Sequence, residues 1–385
     1  MYGMKALRKM LHGAAKRSLA IFAAVLSAAV WAEEAASEAP MGEVYHARDF
    51  RKSCEYLLEQ AVNGKKEVWL RVDEKEFGHD NREMLFFLLP YYRLAEANVQ
   101  VVMNPGDTEP VLFLLTPKYK SCVKMLNYAR GHRDTELTEK EKKALKLAEQ
   151  ALREAGVKEG MSEAQKARAL HDWVVKNCAY DLPNAKINRK YGADEYSPFD
   201  GKYLFLEHRG VCDSYVQAYW LLLQMAGVPC SAISGYVPEY REGHAWNLVH
   251  MDDHWAHVDT TFDDPVPDVK DQVVHVNFDK TAAVMRESRR WAHNMFLDTD
   301  QKGFLSAKPV VVKSVADFKT WLAKRNLKDD EPLIVEIEEL RSKDMAASMQ
   351  KARQAAQEIG KAVSVAHDIL YPYAFRIRTT KRNDK

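Results

Sequence analysis

Cys212 lies where a cysteine can act as a nucleophile. It follows Gly210 and Val211 and precedes an apolar run at 216–225, whose composition predicts a buried helix that stops at Gly227. A thiol in the first turn of a helix meets unpaired N–H groups and the positive end of the helix dipole, and both favour the thiolate. The thiolate is the nucleophilic form, whereas many lone cysteines are simply small buried apolar residues. Position alone therefore leaves both interpretations of Cys212 open.

A β-hairpin is predicted downstream of this helix. Two runs rich in aromatic and β-branched residues flank Asp252 and Asp253, which fit a two-residue turn. With that turn, Met251 pairs with His254, and the register of the whole hairpin follows.

His244 and Asp259 become neighbours in this register. Because His244 lies opposite Thr261, Asp259 is its diagonal neighbour on the same face, within side-chain reach. A carboxylate there can hold the imidazole in one tautomer and stabilise its charged form. A slip of one residue would move Asp259 to the other face and break this arrangement. His257 shares the face, but it lies two residues from Asp259 on one strand, where side chains run parallel, so His244 is the preferred base.

Two other patterns suggest metal ions, and neither is convincing. His250, His254 and His257 would share one face of a helix, but the hairpin breaks that spacing and no cysteine or carboxylate completes a usual zinc set. Residues 298–303 resemble the start of a calcium loop, but a lysine replaces one ligand and Pro309 stands where the bidentate acid belongs. We therefore predict no metal and no cofactor.

The helix and hairpin need a scaffold, and the chain predicts three structural regions. Thr138 and Ser162 fit capping boxes that begin two charged helices of a central catalytic domain at 136–300. The regions on either side, 47–135 and 310–382, both show the order helix–strand–helix–strand–strand, which predicts two small α/β modules and suggests an internal duplication. The predicted strands are 68–72, 99–103 and 111–115 in the first module and 333–337, 363–365 and 374–377 in the second.

The first 32 residues are typical of a secretory signal peptide. Five basic residues precede an apolar run at 19–30, and a small residue, Ala32, follows for cleavage. The run is shorter than the roughly 20 apolar residues that a membrane-spanning helix needs. We predict cleavage near Ala32, a flexible leader at 33–46, and export of the mature protein to the periplasm or the exterior without a stable membrane span.

Length and charge narrow the classes of function. The chain has 385 residues, of which 46% are hydrophobic, and this fits a packed globular protein of two or three domains. Removal of the five basic residues of the signal peptide lowers the formal net charge from +1 to −4. A mildly acidic protein lacks the basic excess typical of nucleic-acid binding, so nucleic acid is not an expected partner.

Three motifs, in order, resemble the transglutaminase-like superfamily in its exported bacterial type. They are the segments around Cys212, His244 and Asp259, and the resemblance covers about residues 165–265. It implies an α+β, papain-like core in which the helix bearing the cysteine packs on the antiparallel sheet that carries the other two residues. It also implies a triad with Cys212 as nucleophile, His244 as general base and acid, and Asp259 as orienting group.

The resemblance also suggests neighbours of an acyl site. Tyr180 lies in a family-like segment upstream and is a candidate side-chain donor to the oxyanion, beside the backbone N–H of Cys212. Trp246 and Asn247 match the family motif and could line the site. The hairpin, however, puts Asn247 on the face opposite His244, which favours a structural role for it.

We therefore expect an exported thiol enzyme that acts on amide bonds of a peptide or protein substrate through a thioester. Hydrolysis is favoured over glutamine crosslinking, because water needs no second binding site. Two alternatives remain open: a non-catalytic binding or scaffold protein that keeps the fold, and removal of glycans from asparagine, although nothing in the sequence marks a sugar site.

Five cysteines leave one thiol unpaired if the others form disulfides. The motif makes Cys212 the free one and leaves Cys54, Cys122, Cys178 and Cys230 for two disulfides. Cys178 and Cys230 both fall in the predicted core, so their pairing is the first to test.

Overall fold

The structure is a computed structural model of the protein. It describes residues 44–48, 53, 56–57, 59–60, 63–72, 95–102, 112–132, 134–185, 191, 195–269, 272–291, 309–325, 333–342, 344–361, 363–368, 371 and 373–379. The predicted signal peptide at 1–32 and the rejected calcium loop at 298–303 lie outside these residues. Within them, no helix is both long enough and apolar enough to cross a membrane.

A four-stranded sheet forms the N-terminal module. Its strands are β1 (Val44–Ala47), β2 (Val68–Val72), β3 (Ala95–Val102) and β4 (Leu112–Tyr119), in the order β1-β2-β4-β3. β1 runs parallel to β2, and the other neighbours are antiparallel. The prediction placed β2 correctly but assigned 33–46 to a leader, whereas Val44, Tyr45 and His46 belong to β1 and pair with β2. β1 has only four residues, too few to show a strand periodicity in the sequence.

The C-terminal module repeats this sheet order. Its strands are β10 (Val310–Val312), β11 (Leu333–Ile337), β12 (Val363–His367) and β13 (Ala374–Thr379), in the order β10-β11-β13-β12, and its first pair is again the parallel one. Helices α7 (Val315–Ala323) and α8 (Met345–Glu358) pack on the sheet and enclose a separate apolar core. The shared topology agrees with the similar sequence order of the two ends, and duplication stays a prediction.

The central region supplies an α+β core, as predicted. Its elements follow α1 (Ser121–Ala129), a helix of the N-terminal module, and are α2 (Glu139–Glu154), α3 (Glu163–Asn177), β5 (Ala179–Tyr180), α4 (Lys202–Glu207), β6 (Arg209–Gly210), α5 (Cys212–Met225), β7 (Cys230–Val237), β8 (Glu242–Met251), β9 (His254–Val258) and α6 (Ala282–Ser288). Both predicted capping boxes are present, with Thr138 opening α2 and Ser162 opening α3. Strands β7, β8 and β9 form an antiparallel sheet in chain order.

Helix α5 lies at the centre of the core. Eleven of its fourteen residues are buried, including Tyr215, Tyr219 and Trp220, so the helix has almost no solvent face. It packs on β7 and β8 on one side and on α1, α3 and α4 on the others. Burial on all sides fixes the position of its first residue, Cys212, against the sheet.

The modules are also joined by buried polar contacts. Arg378 of β13 lies 3.0 Å from the Glu59 carboxylate, and both side chains are at least 95% buried. Asn63 contacts His367 in both directions, donating to its carbonyl at 3.2 Å and accepting from its N–H at 2.8 Å. Arg130, after α1, donates to Gln224 of α5 at 2.6 Å. The N-terminal module therefore connects to both the C-terminal module and the helix that begins at Cys212.

The buried His367 predicts a loss of stability in acid. Burial and the nearby Arg130 charge lower the pKa of His367 to about 3, whereas an unfolded histidine titrates near 6.5. Below about pH 6.5 the unfolded chain therefore binds a proton that the folded chain does not, which lowers the free energy of unfolding by up to about 1.4 kcal/mol per pH unit. Urea unfolding between pH 7.5 and 4.5 should show this loss in the wild type and a shallower loss in His367→Gln.

The matched control is His254→Gln. His254 is half exposed and its pKa is raised by hydrogen bonds to Asp253 and Asp279, so its removal should keep or steepen the wild-type slope. If the free energy of unfolding fell equally steeply with pH in His367→Gln and in the wild type, His367 would not be the cause of the loss.

Candidate active site

Cys212 is the first residue of α5, as the sequence predicted. Its side chain is partly exposed, and the N-cap residue before it, Val211, makes no side-chain hydrogen bond to the first turn. Gly210 lets the chain pass close to the helix, because a Cβ at this position would lie 1.9 Å from Ser214 Oγ. The local sequence thus places a thiol at the positive end of a rigid, buried helix.

The predicted hairpin register is confirmed from Met251–His254 to Asn247–Val258, but the predicted pair of His244 with Thr261 does not form, because β9 ends at Val258. Met251 pairs with His254 and Asn247 pairs with Val258. β9 ends at Val258, and the chain leads directly into Asp259, whose Oδ2 lies 2.8 Å from His244 Nε2. Both side chains are buried, His244 to 5% exposure and Asp259 to none.

His244 connects Cys212 to Asp259. Burial by itself would lower the pKa of His244, but the Asp259 charge and hydrogen bonds to Asp259 and Cys212 outweigh it and raise this pKa to about 9. Because Nε2 is engaged by Asp259, the hydrogen bond to Cys212 is left to Nδ1. The imidazole is therefore held in its charged form at neutral pH, between a carboxylate and a sulfur that can carry the opposite charge.

Arg289 is a member of the site that the sequence did not suggest. Its Nε and Nη2 both donate to Asp259 Oδ2, at 2.9 and 2.6 Å, and its side chain is 3% exposed. Asn277 Oδ1 accepts from Arg289 Nη2 at 2.9 Å, and the Asn277 carbonyl accepts from the Asp259 N–H at 3.0 Å. Burial would raise the pKa of Asp259, yet the charges of His244 and Arg289 hold it below its ordinary value.

Aromatic rings surround the imidazole. Trp246 stacks on His244 at 5.8 Å between centroids, and Phe262 meets it edge-on at 4.7 Å. Phe262 is 37% exposed and Tyr240, 6.1 Å away, is 56% exposed. Cys212, His244 and Asp259 therefore lie beside an apolar surface that could contact a substrate side chain.

The remaining predicted neighbours fall into two groups. Tyr180 lies on β5 next to β6, half-buried, and burial together with the Cys212 charge raises the pKa of its phenol, which therefore stays a donor near the thiol. Asn247 is fully buried and donates to the carbonyls of Val216 and Ser231, at 3.1 and 3.5 Å. It holds α5 to the sheet, as the strand alternation indicated.

The histidines rejected as a zinc set have other partners. His250 contacts the Glu163 carboxylate, and His257 Nδ1 accepts from Trp246 Nε1 at 3.0 Å. His254 lies between Asp253 and Asp279, 2.8 Å from each. His250 is therefore held by α3, and His257 is held by Trp246 of β8.

The cysteine pairing suggested from the sequence is not present. Cys178 and Cys230 are both buried free thiols, as is Cys122; Cys54 lies outside the described residues. Cys178 Sγ contacts the Leu204 carbonyl at 3.9 Å, and Cys230 Sγ contacts the Trp220 carbonyl at 3.7 Å. Core membership alone was thus a poor guide to pairing, because each thiol packs against a different helix.

Comparison with known proteins finds a family match in the central region. The model of the transglutaminase-like superfamily matches residues 150–260, which include Cys212, His244 and Asp259. The kyphoscoliosis peptidase of Mus musculus is 26% identical over 116 residues, which are 28% of this chain and 17% of that protein. The Homo sapiens kyphoscoliosis peptidase is 25% identical over 116 residues with the same shares. The chain thus spans about 17% of the length of these curated relatives.

Among solved structures, one described as the crystal structure of a TGase is similar to this chain over a longer stretch. The similarity covers 74% of each chain at 13% identity, with a TM-score of 0.30.

The geometry predicts selective alkylation of Cys212. Because an imidazolium with a pKa of about 9 lies beside the thiol, Cys212 should react with iodoacetamide at pH 6 at least about tenfold faster than an unfolded cysteine. Cys178 and Cys230 are internal controls: burial raises the pKa of both thiols, that of Cys230 to about 12, and they should stay unmodified in the folded protein. Peptide mass spectrometry after timed alkylation measures all three positions in one experiment.

His244→Asn should abolish the fast reaction at pH 6 and leave the two buried thiols protected. A Cys212 that reacts no faster than the unfolded control would contradict a thiolate–imidazolium pair.

Proposed function

We propose, on the premise that residues 150–260 form a transglutaminase-like domain, that the protein is a cysteine-dependent enzyme that cleaves or exchanges amide bonds of a peptide or protein substrate. One observation carries this proposal. A buried His244 lies between the Asp259 carboxylate and a thiol at the start of a helix. A protein that only binds a partner has no use for this combination, since each element serves to make or stabilise a thiolate.

The first half of the reaction forms a thioester. The Cys212 thiolate attacks the carbonyl carbon of the amide, and the developing oxyanion accepts hydrogen bonds from the backbone N–H of Cys212 and from the Tyr180 hydroxyl. The His244 imidazolium then gives its proton to the departing amine or ammonia, while Asp259 holds the ring in place. The products of this half are the acyl-enzyme and a neutral imidazole.

The second half returns the enzyme to its resting state. His244 takes a proton from the incoming nucleophile, which attacks the thioester and releases the Cys212 thiolate. Water gives hydrolysis, and a lysine or other amine gives crosslinking. Hydrolysis is the favoured outcome, because the apolar surface around Phe262 and Tyr240 suits one acyl substrate and water requires no second binding site.

The proposed enzyme acts outside the cytoplasm. Support comes from the basic and apolar pattern of residues 1–32, which is typical of a signal peptide. The flanking modules would then bound the cleft or dock a protein substrate, since the N-terminal module contacts α5 through Arg130 and Gln224.

Mass spectrometry of treated proteins tests the function. A mixture of exported proteins is incubated with the wild type or with Cys212→Ala, with Cys178→Ala as a matched control that removes a thiol outside the site. The wild type and the control should produce new chain ends with gain of water, and Cys212→Ala should lower product formation by at least about a thousandfold. Isopeptide crosslinks with loss of ammonia would instead identify transamidation.

Identical mixtures for the wild type and Cys212→Ala, with Cys212 still rapidly alkylated, would contradict catalysis and favour the scaffold alternative.

Arg289 is proposed as a positioning residue for Asp259. Its two hydrogen bonds fix the carboxylate, and its charge partly offsets the Asp259 charge felt by His244. In Arg289→Met the uncompensated carboxylate should raise the pKa of His244 above about 9. The alkaline inflection in the rate of Cys212 alkylation, at which the imidazolium loses its proton, should therefore move to higher pH. Loss of the fixed geometry should also slow amide turnover by about a hundredfold.

Arg289→Lys keeps the charge and loses the two-donor geometry. It should restore the alkaline inflection of Cys212 alkylation to its wild-type pH while leaving amide turnover low. It can also be tested if Arg289→Met folds poorly because a buried charge is left unpaired. If both variants lose stability and the alkaline inflection of Cys212 alkylation does not move in either, Arg289 has only a structural role.

A further inference from the structure

We propose that His171, Asp172 and His275 form a binding site for a divalent transition-metal ion of the zinc type. The site lies where helix α3 meets the segment that follows the hairpin, apart from Cys212 and His244. The sequence did not suggest it, because His171 and His275 are separated by more than a hundred residues. The proposal goes beyond amide chemistry and stands independently of it.

The donor atoms converge. Each of the three residues offers one ligand atom, and these atoms lie within 4.8 Å of one another. His171 Nδ1 is 3.0 Å from Asp172 Oδ1, and His275 Nε2 is 2.6 Å from the same oxygen. Zinc bonds of about 2.0–2.2 Å would separate tetrahedral donors by about 3.3 Å, so each nitrogen needs to move away from the Asp172 oxygen by less than about 1 Å.

The buried ligand is supported from behind. His171 Nε2 lies 3.0 Å from Asp263 Oδ2, and both side chains are fully buried. Asp263 Oδ1 in turn accepts from the Asn277 backbone N–H at 2.8 Å and from its side chain at 3.0 Å. A carboxylate on the far nitrogen of a histidine fixes the ring and its tautomer, so that Nδ1 faces the cluster as an acceptor. Second-sphere carboxylates play this part in metal sites.

The other side of the cluster is open. Asp172 is 39% exposed and His275 is 26% exposed. A groove of about 1190 Å³, bordered by Asp172, Trp173 and Phe278, runs along it. An ion can therefore enter from solvent and keep a water ligand at a fourth position, the arrangement of three-ligand zinc sites.

The ligand types favour zinc over magnesium or calcium. Imidazole nitrogens are borderline ligands that suit zinc, and two of them with one carboxylate are a known zinc ligand set, whereas magnesium and calcium take oxygen ligands almost alone. The negative charge of Asp172 also offsets part of the positive charge of the metal ion. Two neutral histidines alone would not do so.

Arg168 competes with the ion. Its Nη2 lies 3.2 Å from His275 Nδ1, and its Nε lies 3.4 Å from Asp172 Oδ2. In the metal-bound state His275 carries its proton on Nδ1, so the guanidinium has to leave that nitrogen. The Arg168 side chain is 51% exposed and can swing into solvent. Arg168→Gln should therefore bind zinc several-fold more tightly than the parent.

The test uses the full chain with Cys212→Ala, freed of metal by chelation, so that the thiol cannot bind zinc. Isothermal titration with zinc chloride should show one site, and cobalt should give the absorption bands of a site with nitrogen and oxygen ligands. His275→Gln and Asp172→Asn in this background should each weaken binding by at least about tenfold, and Asp263→Asn by about 10–100-fold.

The matched control is His254→Gln, which removes another histidine that contacts two carboxylates. It should leave zinc affinity unchanged. Absence of zinc binding in the parent, equal affinity in His275→Gln, or weaker binding in Arg168→Gln would each overturn the proposal. In that case Asp172 simply bridges two imidazole N–H groups. Because Cys212 is absent throughout, neither result bears on amide chemistry.

Discussion

The contact between His244 and Asp259 depends on a single structural constraint, the register of the β8–β9 hairpin. Side chains alternate across a strand, so a shift of one residue would turn Asp259 to the opposite face. The two-residue turn at Asp252 and Asp253 sets this register, and the Met251–His254 pair begins it. Asn247 secures the other end, because its amide ties β8 to the Val216 carbonyl of α5. Cys212 therefore contacts His244 only if the Asp252–Asp253 turn, β8 and α5 keep this alignment.

Burying these charges is costly, and the surrounding contacts show how the fold compensates. His244, Asp259 and Arg289 are each at least 95% buried. Ions removed from water need both an opposite charge and full hydrogen bonding, or they destabilise the core. Asp259 accepts from Arg289 at Oδ2 and from the Phe262 N–H at Oδ1, so both of its oxygens are engaged. Arg289 is in turn bonded to Asn277. Arg289 therefore makes a buried Asp259 tolerable and also moderates its effect on His244.

The local parts of this site could be predicted from the sequence, and the remote parts could not. Strand alternation and a two-residue turn determine the hairpin register, and a helix start identifies Cys212, because both depend on neighbours in the chain. Arg289 is the C-cap residue of the short helix α6, and its partner is thirty residues away in the chain. β1 is a four-residue strand that exists through pairing with β2. The thiols of Cys178 and Cys230 differ in their surroundings, which no spacing in the sequence reveals.

One short segment serves two parts of the molecule. Asp259 holds His244, and Asp263, four residues further along the chain, holds His171 of α3. Asn277 contacts both aspartates, through its carbonyl to the Asp259 N–H and through its amide groups to Asp263. A displacement of α3 or of His275 would therefore act on the same segment that positions Asp259. Whatever binds at His171, Asp172 and His275 would stabilise that segment in its present position, because it would tie α3 to the residues that follow the hairpin. The proposed triad and the proposed metal site thus depend on the same segment, although they have no residue in common.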